Sequence, residues 1–135
     1  MEDTGTAGMI SFVIPLLDEQ DSLQPLYEAI TQAVARVPDC YRSYEIVFID
    51  DGSADGSPAV LRELYQCDPQ HVRVIQFRRN FGKTAAMTAG FAHARGEVVV
   101  TMDADLQDDP AELPKLLAKL DEGYDLVGAW RTNRN

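Results

Sequence analysis

Cysteine and histidine are scarce in these 135 residues, two of each. Cys40 and Cys67 have neither zinc-site nor redox-pair spacing. A disulfide scaffold and a Cys/His metal centre are therefore excluded, and two reduced, structural thiols in a cytoplasmic protein are expected. His71 and His93 stand singly, with no Ser, Cys or metal-ligand partner at a useful spacing, and read as structural. Positive charge is also short: 12 Lys and Arg face 22 Asp and Glu, for a net charge of −10 and a pI near 4.5. That balance argues against a nucleic-acid partner. No apolar run approaches ~18 residues, so no segment is expected to cross a membrane. The first residues show no basic stretch followed by an apolar run and a cleavage site, and do not read as a signal peptide.

What remains is enough for one domain, with 45% hydrophobic residues to build its core. Residues 1–8 are small and polar and are expected to be a disordered leader to a domain over 9–135. Strands are expected at 9–17, 44–49, 72–77, 97–102 and 124–130. Helices are expected between them: from an Asp21 or Ser22 cap to about Val37, over 57–67, over 81–94, and from Pro110 to Leu120. Leu23, Leu26, Ile30 and Val34 form the apolar stripe of the first helix. Regular strand–helix alternation predicts an α/β fold, a doubly wound and mostly parallel sheet with right-handed crossovers. The chain stops just after the fifth strand and reads as the N-terminal portion of a longer protein.

Ligands of such sheets bind beyond the C-terminal ends of the strands, and the chemistry-bearing residues gather there. GEVVVTMDADL (96–106) is a buried strand followed by Asp103 and Asp105. Alternate residues of an extended segment point the same way, so both carboxylates can reach one cation. Gln107 continues the series with a neutral oxygen. These hard oxygen donors suit Mg²⁺ or Mn²⁺. With 14 aspartates in the chain, the D-x-D spacing alone is weak and the strand end is what raises it. Asp50 ends the second strand, where it can accept a hydrogen bond from a nucleobase or ribose; equally, Asp50-Asp51-Gly52-Ser53 is a turn with aspartate caps. Glu19 follows the first strand beside Pro15, either as a ligand contact or in the acidic first turn of a helix. Gly82-Lys83-Thr84 opens a helix, but a P-loop needs Gly at position 77, which is Phe; Lys83 then reads as solvated rather than turned to the cleft. Arg131 and Arg134 follow the fifth strand and suit phosphate, or are a solvated basic tail.

Five stretches in order resemble the family 2 glycosyltransferases of the GT-A fold, and within them the polyprenyl-phosphate sugar transferases: VIPLLDEQDSL (13–23), EIVFIDDGSADGS (45–57), RNFGKTAAMTAGF (79–91), GEVVVTMDADLQDDPAELPKLL (96–117) and GYDLVGAWRTNR (123–134). The resemblance implies inverting, metal-dependent transfer of a sugar from a UDP- or GDP-linked donor to a polyprenyl phosphate. The parent would be attached to the cytoplasmic face of a membrane. Pro15, Leu17 and Glu19 would line the base and ribose pocket, and Phe48 and Asp50 would complete it. Asp103 and Ala104 would lie along the ribose and diphosphate, Asp105 and Gln107 would hold Mg²⁺ or Mn²⁺, and Arg131 would meet phosphate. Asp103, Asp105 and Arg131 are the expected catalytic set. Position 18 is Asp where Asn is frequent, and position 109 is Asp where a second Pro is common. The acceptor side of the family's domain is missing, so this piece is expected to bind donor without turnover and to self-associate through an open edge.

Other classes fit less well. A response-regulator receiver needs an Asp after the third strand and a Lys after the fifth, where this chain has Arg78-Arg79-Asn80 and Arg131-Thr132. A nucleotide-binding module without transfer, or a family 2 transferase acting on a saccharide hydroxyl, fits the same donor-side residues.

Overall fold

A computed structural model describes residues 8–37, 43–105 and 115. The expected leader up to residue 7, the helix from Pro110 apart from Lys115, the fifth strand, and with them Gln107, Arg131, Arg134 and Cys40, lie outside the described residues. The described elements run β1 (Met9–Leu16), α1 (Leu23–Val34), β2 (Ser43–Asp50), α2 (Ser57–Cys67), β3 (Val72–Gln76), α3 (Lys83–His93) and β4 (Val98–Thr101). The four strands form one sheet in the order β3-β2-β1-β4, and every pairing is parallel.

β1 is buried along its whole length, as befits a central strand covered on both faces. Its pleat sends Ile10, Phe12, Ile14 and Leu16 to one core, shared with Leu23, Leu26, Ile30 and Ala33 of α1 and Leu61 and Leu64 of α2. The alternate residue Val13 joins Val47, Ile49 and Ala86 of α3 in a second core. Helices α1 and α2 thus cover one face and α3 the other. Crossovers of one hand require this, because the chain steps twice in one direction (β1 to β2 to β3) and then doubles back past β1 to β4. The reversal leaves a crevice beyond the C-terminal ends of β1 and β4, where open α/β sheets take ligands. Small residues let α3 close down on the sheet: a Cβ on Gly90 would lie 2.8 Å from Ile49 Cδ1.

Several boundaries differ from the sequence expectation, each for a local reason. Helix α1 stops at Val34, and residues 35–37 form a turn. Ser22 holds the N-cap position without a side-chain cap bond; its hydroxyl donates instead to Glu19 Oε1 at 3.3 Å. Helix α3 starts two residues later than expected, because Gly82 takes φ 104° and ψ 158°, outside the helical region, in a loop whose Phe81 and Gly82 N–H groups go to the Asp51 carboxylate. Cys67 is a free thiol, as expected, and it is exposed. His71 stacks on Tyr44 with ring centroids 4.1 Å apart, and His93 Nδ1 lies 2.9 Å from Ala89 O; both make local structural contacts.

Candidate functional site

Three loops meet at the crevice. The β1–α1 loop is stitched to the β2–α2 loop by reciprocal bonds. Asp18 N donates to Ser53 Oγ at 2.8 Å, Glu19 N donates to Ser57 Oγ at 3.0 Å, and Asp18 Oδ1 accepts from Ala54 N at 2.8 Å. The Gly56 N–H donates to Gln20 Oε1. Asp18 takes φ 55° to make this clasp, a left-handed conformation that Asn and Asp tolerate best among residues with a Cβ. This accounts for an Asn/Asp choice at position 18. Asp18→Asn keeps the Oδ1 acceptor and is expected to change stability by less than about 0.5 kcal/mol, whereas Asp18→Ala loses it and should cost roughly 1–2 kcal/mol. Urea midpoints of the two variants check this, and equal losses would contradict the clasp.

The two adjacent aspartates of the β2 turn do different work, because successive residues of a strand face opposite ways. Asp50 is fully buried. Its Oδ1 accepts from Ser53 N at 2.9 Å, while Oδ2 is buried without a hydrogen-bond partner among the described residues. Asp51 holds the third loop, accepting from Phe81 N at 2.8 Å and from Gly82 N at 3.1 Å. Both carboxylates accept backbone N–H groups, as the reading of Asp50-Asp51-Gly52-Ser53 as a turn with aspartate caps expects, and Asp51 fixes the start of α3.

These loops enclose a cleft of about 440 Å³. Pro15, Leu17, Glu19, Asp103, Ala104 and Asp105 all line it. Phe48 does not: it is fully buried in the core beneath α1 and α2, paired with Ile14 in mid-strand. Asp50 stands at the same sheet edge as Asp103 but behind the cleft wall. Lys83 meets both sequence readings: its side chain at the helix start is exposed, and it lines the cleft with its Nζ 2.8 Å from Asp103 Oδ1. Among the described residues, no three His, Cys, Asp or Glu side chains come close enough to hold a metal by themselves. β4 ends at Thr101 and residues 104–105 form a turn, so Asp103 and Asp105 are not alternate residues of one extended segment as the sequence suggests; both line the cleft, and Mg²⁺ is often held by one or two carboxylates with waters and substrate phosphates completing the shell.

A second polar cluster lies at the opposite end of the sheet and escaped the sequence reading. Glu45 is fully buried. It accepts from Ser11 Oγ at 2.6 Å, Arg95 N at 2.7 Å and Arg73 Nη1 at 2.8 Å. Arg73 Nη1 also donates to His93 O at 2.7 Å, so the cluster ties the C-terminal end of α3 to the sheet. Burial pushes the Glu45 carboxyl up, but the bonds from Ser11, Arg95 and Arg73 outweigh it and hold the carboxyl below the usual glutamate range. A charged residue inside an otherwise apolar strand was the one available signal.

The family model for glycosyl transferase family 2 matches residues 11–135. The chain belongs to glycosyl transferase family 2. Among curated members, it is 46% identical over 125 residues to the undecaprenyl-phosphate 4-deoxy-4-formamido-L-arabinose transferase of Klebsiella pneumoniae, an alignment covering 93% of this chain and 37% of that protein. The chain thus spans just over a third of this relative. The fold matches solved structures. The mannosyltransferase PcManGT from Pyrobaculum calidifontis, in complex with GDP-Man and Mn²⁺, superposes with a TM-score of 0.68 at 24% identity, over 80% of this chain and 31% of that one. TarS residues 1–349 from S. aureus, in complex with UDP-GlcNAc, gives a TM-score of 0.64 at 24% identity, over 84% and 31%. The sheet described above is therefore part of a GT-A glycosyltransferase fold. No described helix is long and apolar enough to cross a membrane.

Proposed function

We propose that this chain is the donor-binding portion of an inverting transferase that moves a sugar from a nucleoside diphosphate to a polyprenyl phosphate. The observation that carries the reading is the cleft at the β1/β4 reversal, with Asp103 and Asp105 on its wall. The likeness to an undecaprenyl-phosphate transferase supports the acceptor. Pro15 and Leu17 offer an apolar wall for the base, and Glu19 offers an acceptor for a ribose hydroxyl. Asp50 is buried behind the cleft wall and holds the Ser53 N–H of the β2–α2 loop, so its proposed part is to shape the base and ribose pocket from behind.

Asp103 and Asp105 provide carboxylate oxygens that fit Mg²⁺ or Mn²⁺, with Gln107 proposed to join them. When bound, such an ion neutralises charge that builds on the departing diphosphate. In the transfer, a lipid phosphate oxygen bonds to the anomeric carbon while the bond to the donor diphosphate breaks. The electron pair leaves with the nucleoside diphosphate, and attack from the opposite side inverts the centre. The acceptor is already an anion, so no residue has to take a proton. Arg131 is proposed to meet phosphate, and the working protein to act at the cytoplasmic face of a membrane.

Calorimetry with UDP and GDP, with and without Mn²⁺, tests the reading. One nucleotide should bind roughly tenfold tighter with Mn²⁺, a difference of about 1.4 kcal/mol, and Asp105→Ala should erase that difference. Equal affinity with and without Mn²⁺, in wild type and variant alike, would reject it.

A further inference from the structure

The donor cleft is acidic although its proposed guest is an anion. Glu19, Asp51, Asp103 and Asp105 line it, and Lys83 is the one cation among its described lining residues. Asp51 is occupied with the loop N–H groups, but Asp103 is held by the Lys83 ammonium at 2.8 Å. Lys83 is the first residue of α3, so its backbone N–H lies at the positive end of the helix. Its side chain is 61% exposed and that of Asp103 20%, so the pair is open to solvent, and exposed pairs of this kind contribute little to stability. The lysine stem is flexible and its ammonium is a compact point charge. A pair so placed is easily exchanged: the ammonium stands on an oxygen that a divalent ion would use.

We propose that Lys83 is a partner-exchanging, donor-binding residue. In the donor-free chain it occupies Asp103. When a divalent cation takes the carboxylate, Lys83 is released to the diphosphate at the N-terminal end of α3. The inference rests on the donor-site reading above and adds a residue and an order of events to it. Lys83 thereby opposes metal binding in the free protein and favours nucleotide binding once metal is present. A purely structural ion pair would not split the two effects in sign.

The test uses Mn²⁺ alone and UDP or GDP with saturating Mn²⁺ as probes. Free Mn²⁺ is followed by paramagnetic resonance and nucleotide by calorimetry, on wild type, Lys83→Met and Lys83→Arg. Lys83→Met should bind Mn²⁺ roughly two- to fivefold tighter without nucleotide, because a competing charge is gone. It should bind the nucleotide–Mn²⁺ pair about tenfold more weakly, for want of a charge-assisted contact to phosphate. Lys83→Arg should restore most of the nucleotide affinity. On an Asp103→Asn background, Lys83→Met should no longer tighten Mn²⁺. Unchanged or weaker Mn²⁺ binding by Lys83→Met, with metal-dependent nucleotide binding intact in wild type, overturns the exchange and leaves the donor site standing. If wild type shows no metal-dependent nucleotide binding, the donor-site reading falls and the exchange with it.

Discussion

Glu45→Ala is expected to destabilise the fold by about 2–4 kcal/mol, lowering the melting temperature by roughly 10–15 °C for a domain of this size. The carboxylate is fully buried and binds the Ser11 hydroxyl, the Arg95 N–H and the Arg73 guanidinium. Its removal leaves a buried hydroxyl and a backbone N–H without their charged acceptor. Hydrogen bonds to charged groups are worth about 1.5–3 kcal/mol each. The guanidiniums reach solvent, at 30% exposure for Arg73 and 59% for Arg95. Their rehydration keeps the loss below that of a fully buried pair. Thermal melts of Glu45→Ala and of the near-isosteric Glu45→Gln check this; a shift under about 2 °C for Glu45→Ala would show the cluster to be incidental.

The same residue sets an acid limit. The folded Glu45 carboxyl titrates below the usual glutamate value of 4.5, so the folded state binds a proton less readily than the unfolded chain. Its stabilisation is then complete above the unfolded value and is lost as pH falls from there through the folded value. Wild type should weaken on acidification below about pH 5, while Glu45→Gln should show a flatter profile over the same range. Parallel urea midpoints for the two proteins across that range would remove Glu45 as the cause.

The elements legible in sequence were those with a period or a punctuation mark. Strand β1 was readable from an unbroken apolar run, α1 from Leu23, Leu26 and Ile30 at helical spacing, and the ligand edge from aspartates at strand ends. What escaped depends on residues far apart in the chain. Glu45 finds Ser11, Arg73 and Arg95 only once three strands are in register, and no local pattern announces that. Lys83 meets Asp103 because the doubling back to β4 sets its end beside the start of α3. Asp50 and Asp51 look interchangeable as neighbours, yet the pleat turns one inward and the other to the Phe81–Gly82 loop. Phe48 was assigned to the pocket by family resemblance, and β2 buries it one layer deeper.

Gly52→Ala is expected to cost about 2–4 kcal/mol and to weaken nucleotide binding in whatever folded protein remains. Gly52 has φ +83°, and a Cβ there would lie 2.5 Å from Asn80 N and 2.8 Å from Arg79 Cα. Both are backbone atoms, so no rotamer change relieves the clash, and the β3–α3 loop itself must shift. That loop carries Asn80, Gly82 and Lys83 into the cleft, and it is held by Asp51 from the residue just before Gly52. Movement there pulls the start of α3 away from Asp103. Gly82→Ala is the control. Gly82 also has an unusual backbone, φ 104° and ψ 158°, but a Cβ on it would meet nothing within 4 Å among the described residues. Only the conformational cost of about 1–3 kcal/mol then applies. Urea denaturation should rank the losses Gly52→Ala above Gly82→Ala. Calorimetry with Mn²⁺ and nucleotide, below the melting transition, should show Gly52→Ala the weaker binder. If Gly52→Ala melted and bound like wild type, the loop would not be set by this contact, and the cleft geometry would need another support.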